Sequence, residues 1–326
     1  MSAQIVHAVF VSITAFILSI AIAPGLIKYL RKIKFGQTIR EDGPETHKSK
    51  AGIPTMGGII FLFSAIISTL LVKQWPERMF FLLFIVLSFG LIGLVDDLLI
   101  VIKKRSLGLK AREKILFQTI LSFLFALYLY THQDTTAGLT WRVPFSNFLW
   151  TLPPWLFLFL TTFILVATAN AVKLTDGLDG LAVGTSGISL MALAIICYWS
   201  GYPDIMVFCL ALTGACLGFA WFNAHPAQVF MGDTGSLALG GAIGGIAIMS
   251  GNALFIPFLG GVFVAETLSV IIQVLLFKFT GQRFFKMSPL HHHFELSGWD
   301  EPKIVIRFWI AGLILAIIGL LGYVRG

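Results

Sequence analysis

Long apolar runs, separated by short polar stretches, follow one another along almost the whole chain. Each run is close to the ~20 residues that an α-helix needs to cross the hydrocarbon core of a bilayer. The pattern predicts ten membrane-spanning helices, at roughly 5–24, 56–73, 79–95, 114–131, 154–172, 181–200, 205–222, 235–250, 254–276 and 304–324. The predicted fold class is therefore an all-α, polytopic integral membrane protein, with 1–326 as a single membrane domain.

The composition supports this class, because 57% of the residues are hydrophobic and only 12% are charged. A soluble domain has about twice that charged fraction. The residues before Ile5 include no Lys or Arg, so we expect no cleavable signal peptide. Cys197, Cys209 and Cys216 lie inside apolar runs without metal-ligand or redox spacing, which indicates a role in helix packing.

Basic residues are distributed unevenly between the predicted loops. Most of the 23 Lys and Arg residues fall in alternate loops, at 25–55, 96–113, 173–180, 223–234 and 277–303. The loops of the other side contain only Lys73, Arg78, Arg142 and Arg325. The positive-inside rule then places the first group in the cytoplasm and both termini outside the plasma membrane. We expect the outside segment 132–153 to form a short hairpin or an interfacial piece.

Five aspartates lie at the cytoplasmic ends of predicted spans, although acidic residues contribute little to topology. They are Asp96, Asp97, Asp176, Asp179 and Asp233. A carboxylate beside a bilayer is costly unless it faces a partner or a watery cavity, so such residues commonly mark a functional site. Together with the basic residues, the histidine cluster and the glycine-rich turns on the same face, this pattern indicates an enzyme that acts on a charged, phosphate-containing substrate in the cytoplasm with a lipid partner.

The stretch from Asn170 to Leu181 interrupts two apolar runs and contains Asp176 and Asp179, each followed by a glycine. The i, i+3 spacing would place both carboxylates on one helix face, and the glycines would let the backbone approach a ligand closely. The alternative is a short polar turn between two helices. A turn accounts less well for a lysine, a threonine and two aspartates so close together.

Two further acidic motifs have both a functional and a structural interpretation. Asp96 and Asp97 close the third predicted span, where a cation or a shared proton would relieve their repulsion. They indicate either Mg²⁺ or phosphate handling or a solvated helix end balanced by nearby basic residues. Asp233 opens the eighth span, where backbone N–H groups suit a phosphate. Alternatively, Asp233 or Thr234 is an ordinary N-cap.

His291, His292 and His293 lie in the last cytoplasmic loop. Consecutive histidines point in different directions, and no cytoplasmic cysteine is available to complete a tetrahedral Zn²⁺ site. We therefore expect them to bind substrate oxygens rather than a structural metal, with His291 and His292 more important than His293. Glu266, within the ninth span, either breaks that helix, pairs with a neighbour or lines a groove.

The stretch from Asn170 to Leu181 resembles the signature of the polyprenyl-phosphate N-acetylhexosamine-1-phosphate transferases. Four further segments narrow the resemblance to the branch that transfers phospho-N-acetylmuramoyl-pentapeptide: Pro54–Gly58, Asp96–Asp97, Gln228–Ser236 and Pro289–Trp299. The resemblance extends from Phe35 to Trp309. Lys173 departs from the family motif, where we expect Asn, and adds positive charge near the acids.

This resemblance implies a reaction, a fold and a set of partners. Phospho-MurNAc-pentapeptide passes from UDP-MurNAc-pentapeptide to undecaprenyl phosphate, giving lipid I and UMP, with Mg²⁺ required. This is the first membrane step of peptidoglycan synthesis. The implied fold has ten transmembrane helices, a cytoplasmic cleft and a hydrophobic groove near a bent ninth helix, and the implied assembly is a homodimer.

The resemblance also implies residue roles. Asp233 is the expected Mg²⁺ ligand, with Asp176 as a second candidate, and Asp97 is the expected catalytic base, supported by Asp96. The expected substrate-binding residues are Lys50, Thr55, Lys114, Asn170, Asp176, Asp179, Asn223, Phe230, His291, His292 and His293. The formal charge of +7 of the whole chain would favour two anionic substrates.

There are two alternative functions, one of them also an enzyme and the other of a different class. A related transferase that uses UDP-N-acetylglucosamine has similar motifs, and only the resemblance of the His291 region to the first branch argues against it. A secondary transporter would place its acids at broken helices near the bilayer midplane. Here the acids cluster at one face, which favours an enzyme.

Overall fold

The structure is a computed structural model that describes residues 2–33, 50, 52–71, 76–103, 108–132 and 139–324. Its helices are α1 Ser2–Lys32, α2 Gly58–Thr69, α3 Glu77–Lys103, α4 Ala111–His132, α5 Pro154–Thr175, α6 Leu181–Trp199, α7 Pro203–Asn223, α8 Gly232–Met249, α9 Ile256–Leu259, α10 Gly261–Thr280, α11 Leu290–Glu295 and α12 Glu301–Val324. Of the basic residues named above, Lys73 and Arg325 lie outside the described residues.

Within the described ranges, eight helices are long and apolar enough to cross a membrane: α1, α3 to α7, α10 and α12. The two other predicted spans correspond to α2, with 12 residues, and to α8, with 18 residues. The polytopic, all-α class is confirmed. The count of ten spans and the orientation of the termini stay predictions.

Two boundaries around the acidic residues differ from the prediction. α3 continues through Asp96 and Asp97 to Lys103, so this pair lies inside a helix and does not close it. α5 ends at Thr175, and a turn leads to α6. Asp176 and Asp179 therefore do not share a helix face, and the interpretation of this segment as a turn is correct for its backbone.

The ninth predicted span is divided into two helices. A 3₁₀ turn at Ala253–Phe255 and the short helix α9 precede Gly260, where φ is −109° and ψ is 27°. The chain then continues as α10, which begins at Gly261. Glu266 lies six residues beyond the break, inside α10, and does not cause it.

α8 lies at the centre of the helix bundle, with nearly all of its residues buried. Glycines allow its neighbours to approach closely: a Cβ on Gly93 of α3 would overlap the backbone of Asp233, and a Cβ on Gly240 would overlap Ala169 of α5. Small residues are typical of closely packed helices in membrane proteins. Because α3 and α5 pack against the same helix, their polar ends meet at the N-terminus of α8.

A two-stranded hairpin lies at the opposite end of the bundle. Strands β1 Thr140–Arg142 and β2 Leu149–Thr151 pair in antiparallel register. The backbone N–H of Arg142 donates to the carbonyl of Gly251, just after α8, and its guanidinium lies 4.2 Å from the ring centre of Tyr323 in α12. The expected hairpin is confirmed for these residues, while 133–138 lie outside the described part of the chain.

Candidate active site

Asp97 caps the N-terminus of α8 from a neighbouring helix. Its carboxylate accepts hydrogen bonds from the backbone N–H groups of Asp233 at 3.1 Å and Thr234 at 3.0 Å, and from the Thr234 hydroxyl at 2.7 Å. The first N–H groups of a helix lack partners within it, and their partial positive charge favours an anion. α8 begins at Gly232 without a side-chain cap of its own. The interpretation of Asp233 or Thr234 as its N-cap is therefore wrong.

A chain of ion pairs connects four helices beside this cap. Nζ of Lys114 lies 2.8 Å from Asp96 Oδ2 and 2.8 Å from Asp233 Oδ2. Nζ of Lys173 lies 2.5 Å from the same oxygen of Asp233. The adjacent carboxylates of α3 thus have separate partners, an ammonium group for Asp96 and helix amides for Asp97. These partners reduce the repulsion between the two aspartates.

Asp176, the residue after α5, lies in a region of surplus negative charge. Its side chain is half-buried and has no hydrogen-bond or ion-pair partner among the described residues. Burial raises its pKa, and the charges of Asp233, Asp97 and Asp179 raise it further, to about 8, against the opposing effect of Lys173. A divalent cation would relieve this charge, because carboxylate oxygens are ligands that Mg²⁺ prefers.

Asp179 is held by groups from three distant parts of the chain. Its Oδ1 lies 2.7 Å from Nζ of Lys50, and its Oδ2 lies 3.1 Å from Nδ1 of His225 and accepts the N–H of Ala227 at 3.1 Å. Glu301, at the start of α12, accepts both the Lys50 ammonium and the backbone N–H of Asp179 at 2.6 Å. These contacts fix the turn between α5 and α6 to α12 and to the segment before α2.

The cluster of Asp179, His225 and Glu301 has the spacing of a metal site, with one ligand atom from each within 4.8 Å of the others. The Lys50 ammonium, however, already bridges the two carboxylates. Burial alone lowers the pKa of Lys50, but the hydrogen bonds and charges of Asp179 and Glu301 outweigh it and raise that pKa. Lys50 is therefore the resident cation of this cluster.

His225 and Glu301 are site residues that the sequence does not predict. His225 belongs to a short loop with no distinctive spacing, and Glu301 is an acid in the first turn of a helix, a common position for acidic residues. Their contacts with Asp179 and Lys50 span from 46 to 251 positions of sequence. A local signal for such pairs does not exist in one sequence.

Two amide side chains expected to bind substrate are engaged with protein groups. Asn223 Oδ1 accepts the N–H of Gly180 at 3.1 Å, and its Nδ2 donates to the carbonyl of Val229 at 2.9 Å. Asn170 Nδ2 donates to Oε1 of Gln118 at 2.6 Å. Both residues hold the walls of the site in place, and their contact with substrate stays a prediction.

Thr55 and Phe230 lie beside the N-terminus of α8. The N–H of Phe230 donates to the carbonyl of Pro54, and the N–H of Gly57 donates to the carbonyl of Phe230, both at 2.8 Å. Thr55 is buried, and a Cβ built on Gly232 would lie 2.8 Å from its hydroxyl oxygen. The structure therefore brings the segment before α2 against the segment before α8, next to the ion pairs of Asp233.

The three histidines belong to the short helix α11 rather than to a loop. His291 is fully buried, and its Nδ1 lies 3.1 Å from Oε1 of Glu266 in α10. A Cβ on Gly177 would overlap the His291 imidazole, so the ring packs directly on the turn that contains Asp176. Of the three expectations for Glu266, pairing with a neighbour is confirmed.

We expect His291→Ala to lower turnover and thermal stability more than His293→Ala. Loss of His291 leaves Glu266 buried without its partner, at a cost of about 1–3 kcal/mol. His293→Ala removes an acceptor for the N–H of Lys286, at 3.2 Å, and ring contacts with Phe285 and Phe294, but it leaves no buried charged group without its partner. Gly177→Ala, which pushes on the His291 ring without removing it, is the matched variant and should also lower turnover.

Thermal unfolding, kcat and KM for each variant, together with the zinc content of the wild type, provide the measurement. A larger effect of His293→Ala, or stoichiometric zinc lost together with stability, would contradict this expectation.

The segments of this chain that match known protein families contain the residues of the candidate site. The family model of glycosyl transferase family 4 matches residues 79–251, from α3 to the end of α8. Signature 1 of phospho-N-acetylmuramoyl-pentapeptide-transferase matches residues 50–62, which begin at Lys50 and include Thr55. The helical bundle with ion-paired carboxylates at one end is thus a membrane member of glycosyl transferase family 4.

More narrowly, the chain belongs to the phospho-N-acetylmuramoyl-pentapeptide-transferase family. The protein of that name from Bacillus pumilus (strain SAFR-032) is 48% identical over 315 residues, which cover 95% of this chain and 96% of the relative. The one from Bacillus subtilis (strain 168) is 48% identical over 317 residues, with the same coverage. The one from Geobacillus thermodenitrificans (strain NG80-2) is 47% identical over 310 residues, 94% of each chain. The family resemblance found in the sequence is confirmed.

Proposed function

We propose that this chain transfers phospho-N-acetylmuramoyl-pentapeptide from its UDP carrier to undecaprenyl phosphate, releasing UMP and forming lipid I. An oxygen of the lipid phosphate attacks the sugar-linked phosphorus, and the bond from that phosphorus to the UMP oxygen breaks. The main support is that the chain is 48% identical, along 95% of its length, to relatives named phospho-N-acetylmuramoyl-pentapeptide-transferase. Phosphoryl transfer is catalysed mainly by positioning and by cations that offset phosphate charge, and both features are present around Asp233.

A Mg²⁺ ion fits the carboxylates at the N-terminus of α8. Asp176 has surplus negative charge around it and no partner among the described residues, and Asp233 is the carboxylate whose charge raises its pKa most. Asp233 and Asp176 would hold the ion, which would offset the charge of the diphosphate during transfer. The cluster of Asp179, His225 and Glu301 fits less well, because an ammonium group already lies between its carboxylates.

Asp97 is the residue that we propose accepts a proton from the lipid phosphate or orients it. Its oxygens are bonded to the first amides of α8, and such amides are suited to binding a phosphate. A phosphate that approaches them comes within reach of the Asp97 carboxylate, which favours direct, one-step transfer. Asp96 supports this arrangement because it holds Lys114 beside Asp233.

The other candidate residues would bind the nucleotide and the sugar. Lys50 and Lys114 supply positive charge for phosphate oxygens, and Asn223 with Phe230 would border the uridine. His291, His292 and His293 would donate hydrogen bonds to diphosphate or sugar oxygens, as imidazole does in either protonation state. Since both lysines are now paired with carboxylates, substrate phosphates would take over part of these pairings.

We also propose that the acidic end of the bundle faces the cytoplasm and that both termini lie outside the plasma membrane. The concentration of basic residues around that end supports this orientation. The exposed apolar surface of α10, with Ile271, Leu275 and Phe279, would contact the polyprenyl chain. A homodimer is proposed from the family resemblance.

The purified protein, supplied with undecaprenyl phosphate and Mg²⁺, is expected to release UMP from UDP-MurNAc-pentapeptide and to form lipid I. UDP-N-acetylglucosamine is offered side by side, and a chelator is added in a third sample. We expect no product from either of these two samples, because both the sugar and the metal are required. Preference for UDP-N-acetylglucosamine would identify the related transferase, and substrate flux into liposomes without UMP release would identify a transporter.

A further inference from the structure

Two lysines share one oxygen of Asp233, and they are held to different degrees. Lys114 is anchored, because its Nζ also lies 2.8 Å from Asp96 Oδ2 and its side chain is only 10% exposed. Lys173 has no second carboxylate among the described residues, and 32% of its side chain is exposed. Lys173 is therefore the partner of Asp233 that can leave with less loss of contact.

A divalent ion bound to the shared oxygen, Oδ2 of Asp233, is incompatible with both ammonium groups at their present distances. Mg²⁺ requires nearly octahedral ligands at about 2.0–2.1 Å, and like charges a few ångströms apart repel strongly in a partly buried site. The compact charge of lysine is carried on a flexible four-carbon stem, so it can move without a change of the backbone. Phosphate is a ready alternative partner, since lysine binds phosphate as a point charge.

We propose that Lys173 is a tethered cation that occupies Asp233 until the nucleotide substrate arrives. Lys173 then turns to the diphosphate and leaves Asp233 to Mg²⁺, so that metal and substrate bind together. The proposal rests on the proposed function, because it uses the Mg²⁺ site and the diphosphate of that reaction. Lys173 is in this sense a positioning residue that sets the affinity of the protein for its metal.

A simpler role for Lys173 predicts a different result. It lies in the last turn of α5, where a positive charge interacts favourably with the helix C-terminus. If Lys173 only stabilised this helix end and its acidic neighbours, its removal would change thermal stability and leave metal affinity as it was. The two roles are separated by a direct measurement of metal binding.

The experiment titrates the purified, full-length protein with Mn²⁺ and follows free Mn²⁺ by electron paramagnetic resonance, first without nucleotide and then with UDP. Lys173→Met removes the charge and keeps the length, Lys173→Arg keeps the charge, and Lys28→Met removes the charge of an exposed lysine of α1. Without nucleotide, we expect Lys173→Met to lower the Kd for Mn²⁺ by at least about tenfold, because one nearby positive charge is removed. Lys173→Arg and Lys28→Met should remain close to the wild type.

The effect of UDP supplies a second readout. UDP should tighten Mn²⁺ binding more in the wild type than in Lys173→Met, since binding of the two ligands is linked reciprocally. Equal Kd values for wild type and Lys173→Met, or an equal decrease in Lys28→Met, would overturn the role of Lys173. If Mg²⁺-dependent transfer is present and these Kd values agree, only this inference fails. If transfer is absent while Lys173→Met still binds Mn²⁺ more tightly and responds less to UDP, the proposed function fails and the competition between Lys173 and the metal for Asp233 stands.

Discussion

Asp233→Asn is expected to lower Mg²⁺-dependent transfer by at least about a hundredfold, in the range found when one charge-stabilising group of an active site is removed. The substitution removes the negative charge that holds Lys114 and Lys173 and that would hold the metal. Initial rates over a titration of Mg²⁺ measure the effect, and added Mg²⁺ should not restore the rate.

The fold of this variant is expected to survive. Lys114 keeps its ion pair with Asp96, and Lys173 is exposed enough to reach water. Asp204→Asn is the matched control, because it breaks the ion pair with Arg78 at the opposite end of the bundle, at 2.9 Å, and should leave the rate nearly unchanged. Thermal unfolding is recorded for both variants. Near-normal transfer by Asp233→Asn at ordinary Mg²⁺ would remove Asp233 from the metal site.

The helices could be predicted from the sequence because their signal is local. A run of apolar residues of bilayer length has few alternatives to a membrane span, and eight such helices are present in the described part of the chain. The prediction that this helix closes at Asp96 and Asp97 is wrong for a physical reason. Asp96 and Asp97 look like a helix end, yet Lys114 and the amides of α8 compensate their charges and allow the helix to continue.

The division between α9 and α10 has a weaker local signal. Pro257 falls in the first turn of α9, where proline is tolerated, and the break itself lies at Gly260. A glycine within an apolar run is common in membrane helices, so its position alone does not predict a break. The contact of Gly260 with the chain around Ile256 is decided by packing.

The sequence predicts which residues form the candidate site, but it does not predict which of them contact one another. The role expected for Asp97 comes from the family resemblance, which does not indicate that its hydrogen bonds reach 136 and 137 positions along the chain to α8. The sequence predicts that Lys50 and Asp179 both bind substrate, but the ion pairs of Lys50 with Asp179 and with Glu301 depend on the arrangement of three separate segments. Such pairs follow from helix packing, which a single sequence does not encode locally.

Asp97→Asn is expected to lower the rate of transfer by about 10²–10⁴-fold, the usual contribution of a general base. The variant keeps one oxygen acceptor for the N-terminus of α8 but loses the charge that would attract a proton or orient the lipid phosphate. Since Asp97 also caps α8, a lower rate alone does not distinguish catalysis from structure. Thr234→Val provides the comparison, because it removes the hydroxyl that donates to Asp97 at 2.7 Å and leaves the carboxylate in place.

If Asp97 takes part in the reaction, Asp97→Asn should lose far more activity than Thr234→Val at a similar change in melting temperature. Equal losses that follow the melting temperatures would reduce Asp97 to a cap of α8.

The route of transfer is tested in the wild type by incubation with UDP-MurNAc-pentapeptide labelled in the transferred phosphate, without lipid. One-step transfer predicts no labelled protein, because the phosphoryl group passes directly between the two substrates. A phosphorylated Asp97 or Asp96 trapped under these conditions would show that the enzyme itself receives the group first.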